Sequence, residues 1–67
     1  MYLQNLKELR KQKGWTQERL ARESNISYHT LIKLEQNGIK NPKIETVIKL
    51  ADALDVSLDK LVGREGF

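Results

Sequence analysis

The sequence predicts an all-α fold, a compact bundle of five short helices in one domain. Apolar residues recur at three- and four-residue steps along most of the chain, which is the spacing of one face of an α-helix. No segment alternates apolar and polar residues as a half-buried strand does. Residues with cap or turn chemistry recur at short intervals, so we expect short connections between the helices.

Composition limits the classes of protein that are possible. The 67 residues contain no cysteine, so one domain without disulfides or thiolate metal sites is expected. No apolar run approaches the length of a bilayer span and no secretory leader is recognisable, so we expect a cytoplasmic protein. With one histidine and no paired carboxylates in an evident cleft, we expect no enzyme, no metal and no cofactor.

The distribution of charge points to a polyanionic partner. The net charge is +3, but residues 1–43 hold nine Lys or Arg against four Glu, a net of +5, whereas residues 44–67 carry a net of −2. A basic side of this kind suits a partner such as a nucleic acid. An ordinary solvated surface with the same surplus is the competing interpretation.

The first helix is predicted over residues 2–13, with Leu3, Leu6 and Leu9 along one face. Gly14 is expected to end it, as glycine does after a helix C-cap. Trp15 follows, and we interpret it as a plug in the core. A platform on which a base stacks is the alternative function for that ring.

Helices two and three are predicted over residues 17–23 and 28–36. Thr16 and Ser27 precede them and are expected N-caps, because their hydroxyl groups can accept from unpaired amides. Between the helices, Asn25 is a residue that tolerates the left-handed conformation of a tight turn. The third helix has two different faces. Its predicted inward face carries Leu31, Leu34 and Glu35, and its predicted outward face carries Tyr28, His29, Ile32 and Lys33.

Helix four is predicted over residues 43–54, because its apolar residues form one stripe along the helix. The stripe consists of Ile44, Val47, Ile48, Ala51 and Leu54, widened by Leu50. Asp55 is expected to end the helix, and Ser57 to cap a short fifth helix. We predict Leu58, Leu61 and Val62 to face inward there, and residues 64–67 to form a tail after a domain of residues 1–63.

Several sequence fragments, taken in order, carry a family resemblance. They are T-Q-x-x-L-A at 16–21, I-S at 26–27, T-L-x-x-L-E at 30–35, N-P at 41–42 and L-A-x-A-L-x-V-S at 50–57. Together they resemble the Cro/phage-repressor-type helix-turn-helix domain, also called the xenobiotic-response-element family, over residues 6–61. The resemblance implies a lambda-repressor-like fold and a prokaryotic or phage-type transcriptional regulator, a repressor, that binds double-stranded DNA.

The resemblance implies that the outward face of helix three reads bases in the major groove. The residues at the matching positions are Tyr28, His29, Ile32 and Lys33. A lysine can donate to guanine O6 and N7, and an apolar side chain can contact the thymine methyl group. The competing interpretation is an exposed polar face with one isoleucine, which is common on protein surfaces.

The resemblance also implies contacts to the DNA backbone and one structural ion pair. Phosphate contacts fall at the start of helix two and in the loop after helix three, at Thr16, Gln17, Asn37, Lys40, Asn41 and Lys43. Free amides at a helix N-terminus attract phosphate. Arg10 and Glu35 match a pair that forms a salt bridge between helices one and three.

A single recognition helix covers about half of a binding site, so the resemblance implies a homodimer on a pseudo-palindromic operator. The fifth helix, with Leu58, Leu61 and Val62, or the tail with Phe67 is the expected interface. The alternative function is an antitoxin-like or adaptor module that mainly binds a protein partner.

Overall fold

The computed structural model describes residues 3–36 and 38–63, and within them the regular secondary structure is all α-helix, without strands. The five helices are α1 (Leu6–Gln12), α2 (Gln17–Ser24), α3 (Tyr28–Glu35), α4 (Ile44–Leu54) and α5 (Leu58–Val62). The all-α fold with five helices is therefore confirmed. None of these helices is both long and apolar enough to cross a membrane.

The start of α1 differs from the prediction, which extended the helix back to residue 2. Asn5 has a non-helical backbone, with φ −97° and ψ 3°. Its side-chain Nδ2 donates to the Lys60 carbonyl at 2.7 Å, and its backbone N–H donates to the Leu61 carbonyl at 3.3 Å. The residues before α1 thus hold the end of α5, a long-range role that helical periodicity does not reveal.

Three of the helices begin with the side-chain caps that were predicted. Thr16 Oγ1 accepts from the Arg19 amide at 3.0 Å, which caps α2. Ser27 Oγ accepts from the Thr30 amide and caps α3, and Ser57 Oγ accepts from the Lys60 amide and caps α5, each at 3.1 Å. Each cap is worth about 1 kcal/mol, which matters for helices this short.

Helices α2 and α4 end in the same way. Asn25 and Asp55 adopt left-handed conformations, with φ of 58° and 56°. The next residue then donates back to the helix, from Ile26 to the Ala21 carbonyl and from Val56 to the Ala51 carbonyl, both at 3.0 Å. This six-to-one bond closes a Schellman motif. Ile26 and Val56 pack against the core, as the motif's hydrophobic contact requires.

The core is built mainly from leucine, with alanine where helices approach closely. Helix α2 packs against both α3 and α4, and α1 packs against α3 and α5. The buried apolar residues are Leu3, Leu6, Leu9, Leu20, Ala21, Leu31, Leu34, Val47, Leu50, Ala51, Leu54 and Leu61. Val62 is half-buried and packs on this core.

Three apolar residues that were predicted to face inward are exposed instead. Ile44 is 58% exposed, Ile48 43% and Leu58 40%. In α4 the buried stripe runs through Val47, Leu50, Ala51 and Leu54, and the two isoleucines lie at its edge, beyond the surface that the neighbouring helices cover. Periodicity identified the apolar side of α4 correctly but overestimated its buried width.

The left-handed residue at the end of α4 generates a stability prediction. Asp55→Gly should stabilise the domain by about 0.5–1 kcal/mol, because glycine adopts a positive φ without the steric cost that a Cβ imposes. Asp52→Gly is the matched control, since the same change inside α4 should destabilise by a few tenths of a kcal/mol. Urea unfolding of both variants measures the difference. A loss of stability in Asp55→Gly would contradict the strain argument.

Candidate nucleic-acid interface

Helix α3 presents two chemically distinct faces. Leu31 and Leu34 are buried, with 0% and 2% exposure. On the opposite side Tyr28, His29 and Lys33 are exposed, whereas Ile32 is half-buried. The structure therefore brings the four predicted base readers together on one side of one helix, although Ile32 offers less surface than the other three.

An ion pair between α1 and α3 lies beneath this helix. Arg10 Nε donates to Glu35 Oε2 at 2.7 Å, and Arg10 Nη2 donates to Glu35 Oε1 at 3.2 Å. The side chains are only 10% and 2% exposed. Two parallel N–H···O bonds between a guanidinium and a carboxylate fix orientation as well as distance. The pair therefore fixes the last residue of α3 relative to α1.

The third guanidinium nitrogen of Arg10 reaches the connection between α1 and α2. Its Nη1 donates to the Trp15 carbonyl at 2.7 Å. The indole of Trp15 packs against the core, and Lys13 Nζ and Arg19 Cζ each lie 5.1 Å from its ring centroid. These contacts agree with the interpretation of Trp15 as a packing residue.

Gln17 joins the same network, which its sequence position did not indicate. Its Nε2 donates to Glu35 Oε1 at 3.1 Å, across 18 residues of sequence. A primary amide has two N–H donors, so this bond is compatible with a phosphate contact through the other. Thr16 is exposed and its oxygen caps α2, while its own O–H can still donate. The network thus ties the start of α2 to the end of α3.

Both ends of α3 are held by local contacts. At the N-terminus, the Ser27 hydroxyl caps the helix and donates to Thr30 Oγ1 at 2.8 Å. At the other end, the Gly38 amide donates to the Lys33 carbonyl at 2.7 Å. A Cβ at Gly38 would lie 3.3 Å from that carbonyl oxygen, so glycine permits the close approach. The chain turns sharply here into the loop that leads to α4.

The loop after α3 carries the second group of predicted phosphate contacts. Lys40, Asn41 and Lys43 are exposed, and Asn37 lies outside the described residues. Lys43 is the N-cap residue of α4 but makes no side-chain capping bond. A half-open cavity of about 350 Å³ separates this loop from α3, and it is lined by Thr30, Leu34, Ile39, Asn41, Pro42, Lys43 and Thr46. Among residues 3–36 and 38–63, no cluster of His, Asp and Glu is arranged to hold a metal.

The arrangement defines a class of protein. Two short helices, α2 and α3, pack together across a connection of residues 25–27. The second helix turns a polar face outward and is anchored from behind by leucines and a buried ion pair. This is the architecture of a helix-turn-helix domain.

Comparison with known proteins identifies the family. Residues 6–61 match the helix-turn-helix family model, and the chain belongs to this family, of the Cro/C1 type. The HTH-type transcriptional regulator AnsR of Bacillus subtilis is 38% identical over 65 residues, which cover 97% of this chain and 55% of AnsR. The chain thus spans about half the length of the curated relatives that it matches first.

Solved structures show the same fold. SinR, described as the master regulator for biofilm formation and solved in complex with DNA, superposes with a TM-score of 0.85 at 34% identity, covering 92% of this chain and 98% of that one. The complex of SinR with SinI gives a TM-score of 0.88 at 32% identity, covering 98% of this chain and 64% of that one.

The buried ion pair generates a second stability prediction. Arg10→Ala or Glu35→Ala should each destabilise the domain by about 3 kcal/mol, because each leaves the surviving charge buried without its partner. Urea melts of the two variants provide the measurement.

The exposed ion pair on α2 serves as the control. Arg19 Nε and Glu23 Oε2 are 3.4 Å apart, with side chains 49% and 42% exposed, so Glu23→Ala should change stability by no more than about 0.5 kcal/mol. An equally small loss in Arg10→Ala would show that the α1–α3 pair contributes no more than a surface pair.

Proposed function

We propose that this chain binds duplex DNA sequence-specifically and regulates transcription, with α3 in the major groove. The observation that carries the proposal is the outward face of α3, where Tyr28, His29 and Lys33 are exposed while Leu31 and Leu34 anchor the helix. An α-helix fits the major groove of B-DNA, and each base pair presents a distinct pattern of donors and acceptors there. As a regulator of prokaryotic or phage type, it would act in the cytoplasm.

The four side chains on this face would have different roles in reading the sequence. Lys33 donates to guanine O6 and N7, and His29 donates to or accepts from a base edge. The Tyr28 hydroxyl bonds a base or a phosphate, and its ring packs on a sugar or a thymine methyl group. Ile32 contributes a smaller apolar contact, because it is half-buried.

Phosphate contacts on both sides of α3 set the orientation of the domain on DNA. At the start of α2, Thr16 and Gln17 accompany free backbone amides at the positive end of the helix dipole. In the loop after α3, the predicted contacts are Asn37, Lys40, Asn41 and Lys43. Such contacts raise affinity and fix register without carrying sequence information.

We further propose that the functional unit on DNA is a homodimer and that it acts as a repressor. One α3 covers about half a site, so two copies on a pseudo-palindrome would lie about one helical turn apart.

Two comparisons support a DNA-binding role, namely the SinR structure in complex with DNA and the similarity to the regulator AnsR.

Two lysines of the proposed surface, Lys33 on α3 and Lys43 at the end of the following loop, should respond differently to truncation. Lys33→Ala should abolish the preference at one base position, since a lysine contact to guanine is worth about 1–3 kcal/mol of discrimination. Lys43→Ala should weaken binding uniformly across sequences and reduce the slope of log affinity against log salt by about 1. Selection of binding sites from random duplexes, followed by salt titrations on the selected site, measures both effects.

Lys60→Ala is the control for both variants, because Lys60 lies on α5 and is exposed. It should leave the selected sequence and the salt slope unchanged. If Lys33→Ala weakens binding equally for all sequences, Lys33 contacts a phosphate and not a base. If selection from random duplexes yields no preferred sequence, the chain does not bind DNA specifically.

A protein partner is the second candidate function, and the solved complex of SinR with SinI favours it. In the antitoxin-like or adaptor alternative, the chain would bind such a partner through the side formed by α4 and α5. Lys33→Glu separates the two functions, since a carboxylate facing phosphates should abolish DNA binding. Lys33→Glu should not change the amount of a co-purifying partner that the chain pulls down. If Lys33→Glu abolishes both DNA binding and partner binding, the two use the same surface.

A further inference from the structure

The cavity between α3 and the loop that follows it has an apolar interior that the proposed function leaves unused. Its volume of about 350 Å³ lies at the lower end of the range for sites that hold small molecules. Leu34 is only 2% exposed and forms its floor, while Ile39 and Pro42 are half-buried and form its walls. An interior of this kind favours an organic occupant over an inorganic ion.

Polar side chains reach this cavity from both of the helices beside it. Thr30 lies on α3 and Thr46 on α4, and both are half-buried. Thr30 Oγ1 accepts from the Ser27 hydroxyl at 2.8 Å, so the O–H of Thr30 can still donate. A few polar groups in a mainly apolar site fix the orientation of a ligand.

The cavity also carries one positive charge. Among the described residues that line it, Lys43 alone is charged. Within residues 3–36 and 38–63, no acid forms an ion pair with Lys43, and its side chain makes no capping bond to α4. One ammonium group without an acid beside it matches a ligand with a single negative charge. A dianion would leave its second charge without a partner.

We propose that this cavity binds a small amphiphilic carboxylate, a molecule with an apolar body and one carboxylate group. The body packs on Leu34, Ile39 and Pro42, and the carboxylate accepts from the Lys43 ammonium. Removal of apolar surface from water supplies most of the binding free energy. Because Lys43 is exposed, its ion pair with the ligand adds a smaller part.

The lysine that would hold this ligand has another partner in the proposed function. Lys43 and Asn41 line the cavity, and both are proposed phosphate contacts. A carboxylate on Lys43 and a DNA phosphate would therefore compete for one ammonium group, and each would lower the affinity for the other. This competition rests on the proposed function, whereas binding of the ligand to the free chain does not.

Octanoate, which has one carboxylate on an unbranched apolar chain, is the probe for the site. Titration of the 67-residue chain without DNA should give saturable NMR shifts at the methyl groups of Leu34 and Ile39. The expected dissociation constant for so small a ligand is on the order of 1 mM. Ile44 and Ile48 are exposed on α4 but do not line the cavity, so their methyl groups should not follow the same curve.

Three variants separate the charged part of the site from the apolar part. Lys43→Ala should weaken octanoate about fivefold and leave the neutral octanol unchanged, because only the carboxylate loses a partner. Lys49→Ala is the matched control, since Lys49 is exposed on α4 outside the cavity and its loss removes the same charge. Thr46→Phe should fill the cavity and abolish binding of both probes.

Thermal melts establish that each variant folds. If Thr46→Phe unfolds, the comparison of Lys43→Ala with Lys49→Ala still decides the question. The proposal is overturned if octanoate produces no saturable shift at Leu34 and Ile39, or if the two lysine variants weaken octanoate equally.

Competition with DNA is measured separately on the selected duplex, with acetate at the same concentration as the control for ionic strength. At ten times its dissociation constant, octanoate should weaken DNA binding about 10-fold relative to acetate. If octanoate occupies the cavity without this effect, the competition is refuted. A chain that binds octanoate but no DNA contradicts the proposed function alone, whereas DNA binding without octanoate binding contradicts only the ligand site.

Discussion

The position of α3 depends on one carboxylate. Glu35, the last residue of α3, has a side chain only 2% exposed and accepts from Arg10 Nε, Arg10 Nη2 and Gln17 Nε2. Burying a carboxylate is costly unless its lone pairs are satisfied, and three donors on two oxygens meet that requirement. Since the donors come from α1 and α2, and Arg10 also binds the Trp15 carbonyl, the tilt of α3 is set by the two helices before it.

The rest of the fold achieves precision with very short elements. The helices have between five and eleven residues, and such helices are marginal in isolation. Their ends are therefore specified individually, by hydroxyl caps at Thr16, Ser27 and Ser57 and by left-handed turns at Asn25 and Asp55. Each left-handed turn directs the next apolar residue back into the core. Secondary structure and packing are thus determined together at every corner.

Features of this structure that depend on residues close in sequence could be predicted, whereas features that depend on contacts between distant segments could not. Caps and left-handed turns depend on neighbouring residues, so Thr16 and Asn25 were predicted correctly. The exposure of Ile44 and the bond between Gln17 and Glu35 were not, because they depend on which surfaces meet across the bundle. The two faces of α3 follow from periodicity. The assignment of Tyr28, His29, Ile32 and Lys33 to bases, and of the loop to phosphates, stays a prediction.

Trp15 gives the junction of α1 and α2 an optical property. It is the only tryptophan of the chain, it lies near two cations, and its carbonyl is bound by the arginine of the buried ion pair. Indole emission responds to nearby charge and to exposure to water. The 67-residue chain therefore contains one intrinsic fluorophore, at the connection between α1 and α2. Its emission allows unfolding and the approach of a polyanion to be followed without a label.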